Sequence, residues 1–314
     1  MSHDPVLEFF DDPAAFLDAA GPLLAAEPVL GSVIASVTER TVRELAEGRD
    51  SWSSVDAPFV RWWMVVRDVG GAVVGAAMRC APFAPHPTFS LPLDEAAATA
   101  LARALHRRGE LLGGANGTLP GARVLAEETA RLTGGTAAVI EEMRLWEATE
   151  ARVPQAPEGR LRRATEADAE LVLDWFARFH AEADEQAGRE PGPASGAHNV
   201  VDDVLGRIRD GLEWLWELPD GEVAHLTGTT LPAYGVSRVG PVFTPGEHRG
   251  LGYASYVVGE LTRRGLAAGH RMCLFTDQAN PTSNKIYATL GYEPVVDMAH
   301  HVVRPEAGEW AREP

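Results

Sequence analysis

From about residue 160 onward the apolar positions switch repeatedly between a period of two and a period near 3.6. Residues 161–163 predict a short strand. Thr165 with Asp168 makes a capping-box pair, and Leu171, Val172, Trp175, Phe176 and Phe179 form one stripe of the helix behind it. After a Gly- and Pro-rich loop at 188–199, residues 200–211 predict a second helix. Residues 214–218 and 222–230 predict two strands joined by the turn Pro219-Asp220-Gly221. A strand over 239–244, a helix over 253–268, a strand over 272–276, a helix over 282–290 and a strand over 295–303 complete the order β-α-α-β-β-β-α-β-α-β. In the 253–268 helix, Ala254, Val257, Val258 and Leu261 share one face, and Gly269 ends it.

The first half repeats part of this pattern. Residues 62–66 and 72–79, joined at Gly70-Gly71, predict a hairpin like that at 214–230, and each hairpin is followed by a proline, Pro82 and Pro232. Arg107-Arg108-Gly109 matches Arg263-Arg264-Gly265, and Ala-Asn-Gly-Thr at 115–118 matches Ala-Asn-Pro-Thr at 279–282. The shared order implies an internal duplication. The stretch EARVPQAPEGR at 150–160 separates the two periodic regions as a linker does. The expected domains are 1–150, a linker over 151–159, and 160–314.

Composition narrows the function classes. The charged side chains, 28 basic and 45 acidic, give a net charge of -17. The excess is shared between the halves, so the surface repels a phosphate backbone and predicts no nucleic-acid partner. Lys285 is the only lysine, which suits the codon bias of a GC-rich bacterial genome. Cys80 and Cys273 lie far apart, with no paired Cys/His spacing, so no metal site is expected. No apolar run approaches the roughly 18 residues of a membrane span, and the N-terminus lacks a basic-then-apolar leader. The chain reads as soluble and cytoplasmic, with no membrane partner.

Two segments carry chemistry. In VGPVFTPGEHRGLGYASYVV (239–258) a strand ends at Thr244, the chain turns, and Arg249, Gly250, Leu251, Gly252, Tyr253 and Ala254 open a helix. The unpaired amides and positive pole of that helix start suit a pyrophosphate, and glycines let it approach the backbone. Taken alone, the segment also fits a plain strand–loop–helix joint. In the second segment Asn280 follows a strand and either bonds a ligand amide or caps the next helix. Ser283 sits in that helix's first turn, with Tyr287 four residues on. The Tyr287 phenol is a proton donor suited to a thiolate leaving group, or a rim aromatic.

Together the two segments resemble the GNAT superfamily of acyl-CoA-dependent N-acetyltransferases. Its pyrophosphate pattern, Arg/Gln-x-x-Gly-x-Gly/Ala, matches at Arg249, Gly252 and Ala254. Its later pattern matches at Asn280, Ser283, Tyr287, Gly291 and Tyr292. The resemblance covers residues 160–303. It implies an α/β (α+β) protein of two tandem GNAT-like domains, each a mixed, partly splayed sheet flanked by helices, the first copy degenerate. It implies a sheet that opens between 239–244 and 272–277, where the pantetheine of acetyl-CoA pairs with the backbone of Val242, Phe243 and Thr244. The implied reaction is direct attack of a primary amine, on a small molecule or peptide, on the acetyl thioester, with Tyr287 protonating the thiolate.

The chain departs from the family twice. The glutamate that many members carry at the start of the fourth strand is replaced here by Ser237-Arg238, leaving Asp277, Glu222, Glu213 and His225 as candidate bases. The first half has Leu91-Pro92-Leu93-Asp94-Glu95 at the glycine-loop position and roughly Ala130 at the tyrosine position, so it is expected not to bind CoA productively. A second reading keeps the fold as a non-catalytic acyl-CoA-sensing or partner-binding module. A dinucleotide fold is disfavoured, because Gly250-x-Gly252-x-x-Ser255 lacks the third glycine and a later acidic partner. No Gly-x-Ser-x-Gly, His-Glu-x-x-His or phosphate-loop Gly-Lys-Ser/Thr occurs.

Overall fold

The structure, a computed structural model, describes residues 5–50, 59–81, 85–186, 201–304 and 306. The elements run β1 (Val6–Phe10), α1 (Pro13–Ala26), α2 (Ser32–Ala46), β2 (Trp62–Arg67), β3 (Val73–Arg79), β4 (Thr88–Ser90), α3 (Glu95–Arg107), β5 (Gly114–Thr118), α4 (Gly121–Thr133) and β6 (Thr136–Ala148). They continue with β7 (Arg160–Arg163), α5 (Ala169–Gln186), α6 (Val201–Arg209), β8 (Glu213–Glu217), β9 (Val223–Thr229), β10 (Val236–Phe243), α7 (Tyr253–Ala267), β11 (Arg271–Asp277), α8 (Pro281–Thr289) and β12 (Tyr292–Arg304). The expected loop at 188–199 lies outside the described residues.

The chain forms two compact units, residues 1–144 with 296–314, and residues 145–295. This differs from the expected cut at 150 and 160. The segment 149–159 does lack regular structure. However, β6 and β12 are each thirteen residues long, and each crosses a unit boundary. The chain after Val295 returns to the first unit, where Met298–Val302 pair antiparallel with Gly114–Thr118. Residues 145–148 belong to the second unit, where Trp146 Nε1 donates to Thr276 Oγ1 at 2.8 Å and Glu147 holds Arg271 through two bonds of 2.5 and 2.8 Å. Periodicity finds a strand but not which sheet its far end joins.

In the second unit the strands lie in the order β11-β10-β9-β8-β7, all antiparallel except the β10–β11 pair. Strand alternation sends neighbouring side chains to opposite faces. On β8, Leu215 packs with Trp175, Phe176, Val204 and Ile208 of α5 and α6, while Trp216 packs with Tyr253, Val257 and Leu261 of α7. The Thr165–Asp168 box is present, but it opens a 3-10 turn ahead of α5. Arg162 also donates to both Asp168 oxygens at 2.8 Å and holds that carboxyl down to about 2.

The first unit has the order β1-β2-β3-β4-β5, with α3 and α4 packed on Trp62, Met64 and Val66 of β2. Arg79 is wholly buried and bonded from all three nitrogens. It donates to the carbonyls of Val60 and Leu111 and pairs with Glu110. Neither cysteine is in a disulfide. Among the described residues no helix is long and apolar enough to cross a membrane.

Candidate active site

The site is built on the seam between β10 and β11. These strands pair in parallel only at Val236–Arg238 with Arg271–Cys273. Beyond Arg238, β10 keeps its partner β9 but leaves β11. The departure coincides with a register shift between Val239 and Val242, where Gly240-Pro241 occupies the strand. A proline and a glycine inside a strand are the residues that a bulge accommodates. Val242 and Phe243 pair with Thr227 and Leu226 on the β9 side, so the edge of β10 facing the seam carries no strand partner over this stretch.

At the end of β10 the chain passes through a short 3-10 turn and enters α7. Gly250 and Gly252 have φ of 76° and 86°, the left-handed region that a side chain strains. A Cβ added at either would meet no atom within 4 Å, so the glycines answer to backbone shape and leave open space in front. Gly252 is the N-cap and no side chain caps the helix. The first intrahelical amide bond runs from Tyr256 to the Gly252 carbonyl, leaving the amides of Tyr253, Ala254 and Ser255 without intrahelical acceptors. Arg249, Gly250, Leu251 and Gly252 are exposed, whereas Tyr253 is buried against Trp216.

Arg249 and Thr244 are engaged with the protein itself. The Arg249 guanidinium turns back onto the protein: Nε donates to the Thr244 carbonyl at 3.0 Å, and the far nitrogen pairs with Glu182 of α5. The Thr244 hydroxyl bonds His225 Nδ1 at 2.7 Å. Thr244 lies just past the end of β10, and its carbonyl is already used by the protein. Asn280 takes the capping role: its Oδ1 accepts from the Ser283 amide at 3.1 Å at the start of α8. Ser283 itself is half-buried in the first turn.

Tyr287 is buried in one cluster with Val239 of β10 and with Met272 and Leu274 of β11, the two strands of the seam. Its ring meets Tyr292 edge-on at 6.0 Å. Among the described residues none hydrogen-bonds its hydroxyl, whereas the Tyr292 hydroxyl bonds Thr262 at 2.6 Å. Burial pushes the Tyr287 phenol up from its usual value, so it keeps its proton.

The four candidate bases sit in distinct environments. Asp277 accepts the Ala279 amide at the end of β11. Glu222 meets His248 Nε2 at 3.1 Å at the hairpin turn. His225 is wholly buried between Thr227 and Thr244, and desolvation lowers it to about 3, so it is neutral at ordinary pH. Glu213 is wholly buried beside Arg207 of α6. The Arg207 contact escaped the sequence reading, because an arginine on an amphipathic helix ordinarily reads as surface. Among the described residues no group of His, Cys, Asp and Glu is placed to hold a metal ion.

The model of the FR47-like protein family matches residues 218–301, which contain the seam, the helix start and Tyr287. No curated protein matches significantly. Among solved structures, a Drosophila structural-genomics target aligns at a TM-score of 0.64 and 14% identity, over 96% of this chain and 100% of that one. A GCN5-related N-acetyltransferase from Sphaerobacter thermophilus aligns at 0.52 and 16%, over 97% and 96%. A tandem GNAT protein of the clavulanic acid biosynthesis pathway aligns at 0.53 and 16%, over 97% and 100%. The chain has the fold of these tandem GCN5-related acetyltransferase structures along nearly its whole length.

Proposed function

We propose that the second unit is an N-acetyltransferase that moves the acetyl group of acetyl-CoA to a primary amine of a small molecule or peptide. The observation that carries this reading is the unpartnered edge of β10 beside an uncapped helix start, with Tyr287 packed on residues of both seam strands and its hydroxyl unbonded among the described residues. The edge suits an extended amide-bearing arm, which can pair with it as an added strand. The amides of residues 250–255 and the positive pole of α7 suit a diphosphate. Arg249 supports the loop by bonding the Thr244 carbonyl through its side chain, and its own amide is taken by the Gly246 carbonyl.

The chemistry follows from positions. The amine nitrogen attacks the thioester carbonyl, the carbon–sulfur bond breaks, and sulfur takes the Tyr287 proton. The nitrogen gives up one proton, which returns through solvent to the phenolate, so the net products are the amide and the free thiol. Holding both reactants at the seam removes most of the entropic barrier to their meeting.

Calorimetry with acetyl-CoA, together with thiol release across a panel of amines, tests the reading. The wild type is expected to bind one acetyl-CoA per chain. Gly252→Asp, which places a carboxylate and a strained Cβ in the cradle, is expected to weaken binding by about tenfold or more. Unchanged affinity in Gly252→Asp removes the diphosphate from this helix. Tight binding without thiol release from any amine assigns the fold to acyl-CoA sensing instead.

A further inference from the structure

Tyr287 stands on a helix that does little to hold itself. α8 has nine residues, below the length at which an isolated helix is stable in water, and its sequence PTSNKIYAT is rich in mediocre helix formers. Tyr287 is its one fully buried residue. The phenol has no hydrogen bond among the described residues, so the direction of the ring depends on how α8 is attached to the seam.

That attachment runs through Asn284, which lies three residues before Tyr287 and so one turn away on the same side. Its Oδ1 accepts from Thr276 Oγ1 at 2.6 Å, and its Nδ2 donates to the carbonyls of Asp277 and Gln278 at 3.3 Å each. All three partners belong to β11 or the turn just after it. Asn280, by contrast, caps α8 from within. Asparagine is unfavourable inside a helix, because its amide competes for nearby backbone. Here the amide is spent on the neighbouring strand.

The bonds have one direction. The two carbonyls can only accept, so they settle which end of the Asn284 amide is nitrogen, and the oxygen faces Thr276. The Thr276 proton is then committed to Asn284. Its oxygen receives the indole N–H of Trp146, which can only donate, at 2.8 Å. Thr276 shares a face of β11 with Met272 and Leu274, which pack in the Tyr287 cluster, and Trp146 belongs to that cluster too. Trp146 lies near the end of β6, in the part that belongs to the second unit, although the strand begins in the first.

We propose that Trp146, Thr276 and Asn284 are positioning residues for Tyr287, a relay that holds the phenol at the angle from which it protonates the leaving sulfur. The claim rests on the acyl-transfer reading above. None of the three touches the reacting atoms; each acts through the placement of α8. One consequence concerns the duplication. Residues 160–314 carry both motifs but lack the indole, so the support of the proton donor is completed by a strand that starts in the first unit.

The test is a set of variants in the full chain, with thiol release measured well below the lowest melting midpoint, using whichever of spermidine, lysine methyl ester and ethanolamine reacts fastest. Thr276→Val keeps the shape and removes the hydroxyl. It is expected to lower kcat about 20-fold, with the dissociation constant of acetyl-CoA and the KM of the amine within about twofold. Thr276→Ser, which restores the hydroxyl, is expected to return kcat to within about threefold of the wild type. Trp146→Phe keeps a ring in the cluster and loses only the N–H, and is expected to lower kcat about fivefold. In a Tyr287→Phe background, Thr276→Val and Trp146→Phe are each expected to change kcat by less than about twofold, because the group through which they act is gone.

A merely structural relay would lower the melting temperature and leave kcat of the folded enzyme alone, or lower kcat equally in both backgrounds. Either result overturns the assignment while the acyl-transfer reading stands, as does a Thr276→Ser enzyme as slow as Thr276→Val. If Thr276→Val does not fold, Trp146→Phe in the two backgrounds decides. A Tyr287→Phe enzyme as fast as the wild type removes the phenol as proton donor and this relay with it. A wild type that releases thiol with none of the three amines overturns the relay and the transfer reading together.

Discussion

Each unit contains a parallel strand pair whose first strand leads into a helix, and the two pairs are finished differently. In the first unit, β4 pairs with β5 along its whole length, Thr88 to Ala115, Phe89 to Asn116 and Ser90 to Gly117. The approach is so close that a Cβ on Gly117 would lie 2.3 Å from Ser90 Oγ. In the second unit, β10 pairs with β11 over its first three residues and then departs. Beyond β4, Leu91 and Leu93 are buried, and the Leu93 carbonyl would sit 2.6 Å from a Cβ on Gly121. Beyond β10, the chain from Gly246 to Gly252 is largely exposed, with open space in front of its glycines. Asp94 caps α3 by accepting the Ala97 amide at 2.7 Å, whereas Gly252 leaves α7 uncapped. An acyl-CoA needs a strand edge and free helix amides together. The first unit satisfies both with its own atoms and gains stability; the second leaves both open, as functional sites do when they break a local rule.

The sharpest break of this comparison is at Tyr287, for which the first unit offers no phenol. Tyr287→Phe is expected to lower kcat by about 100-fold or more while the dissociation constant for acetyl-CoA stays within about twofold. Stopped-flow thiol release and calorimetry separate the two effects. Equal losses in rate and affinity would make the ring a packing element of the seam rather than its proton donor.

The parts of this site that were legible in the sequence are those set by neighbours in the chain. Gly250 and Gly252 announce a turn needing positive φ directly before an apolar-periodic helix. Tyr287 announces itself by its spacing from Ser283. Asn280 was legible as an ambiguity between ligand and cap, and its oxygen accepts the Ser283 amide as a cap does. Contacts across long stretches of chain were not legible. The ion pair of Arg249 was hidden, because its partner Glu182 lies 67 residues earlier on another helix. Glu213 read as one acid among several, because nothing local says that Arg207 of α6 pairs with it in the interior. The same limit hid the crossing of β6 and β12 between units, since a strand's pattern is identical whichever sheet completes it.

The next prediction sharpens the comparison through pH. His225 is neutral in the folded second unit, lowered by burial to about 3, whereas an unfolded histidine titrates near 6.5. The unfolded chain therefore binds this proton first. The stability that the neutral ring contributes is fully present above about pH 6.5 and is lost as the pH falls from there towards 3. The slope approaches 1.4 kcal/mol per pH unit, or about 2 kcal/mol between pH 7 and pH 5. Hydrogen exchange, corrected for intrinsic rates, should show β9 and β10 losing protection over that interval while β2 and β3 lose little. Equal losses in both, or a slope that persists in His225→Gln, would place the titration elsewhere.

The smallest effect probes whether the cap or the paired strands close the first unit to acyl-CoA. Asp94→Ala removes one amide bond at the start of α3 and is expected to cost about 1 kcal/mol, a melting shift of a few degrees. Calorimetry should still find one acetyl-CoA per chain. An uncapped helix start is only half of the arrangement seen at α7, and the β4 edge would remain joined to β5, with Leu91 and Leu93 filling the place that the exposed loop leaves open in the second unit. A second binding event in Asp94→Ala would mean that one aspartate alone had kept the site closed. The distinction between the units would then rest on the charge at a helix tip rather than on the architecture of the seam.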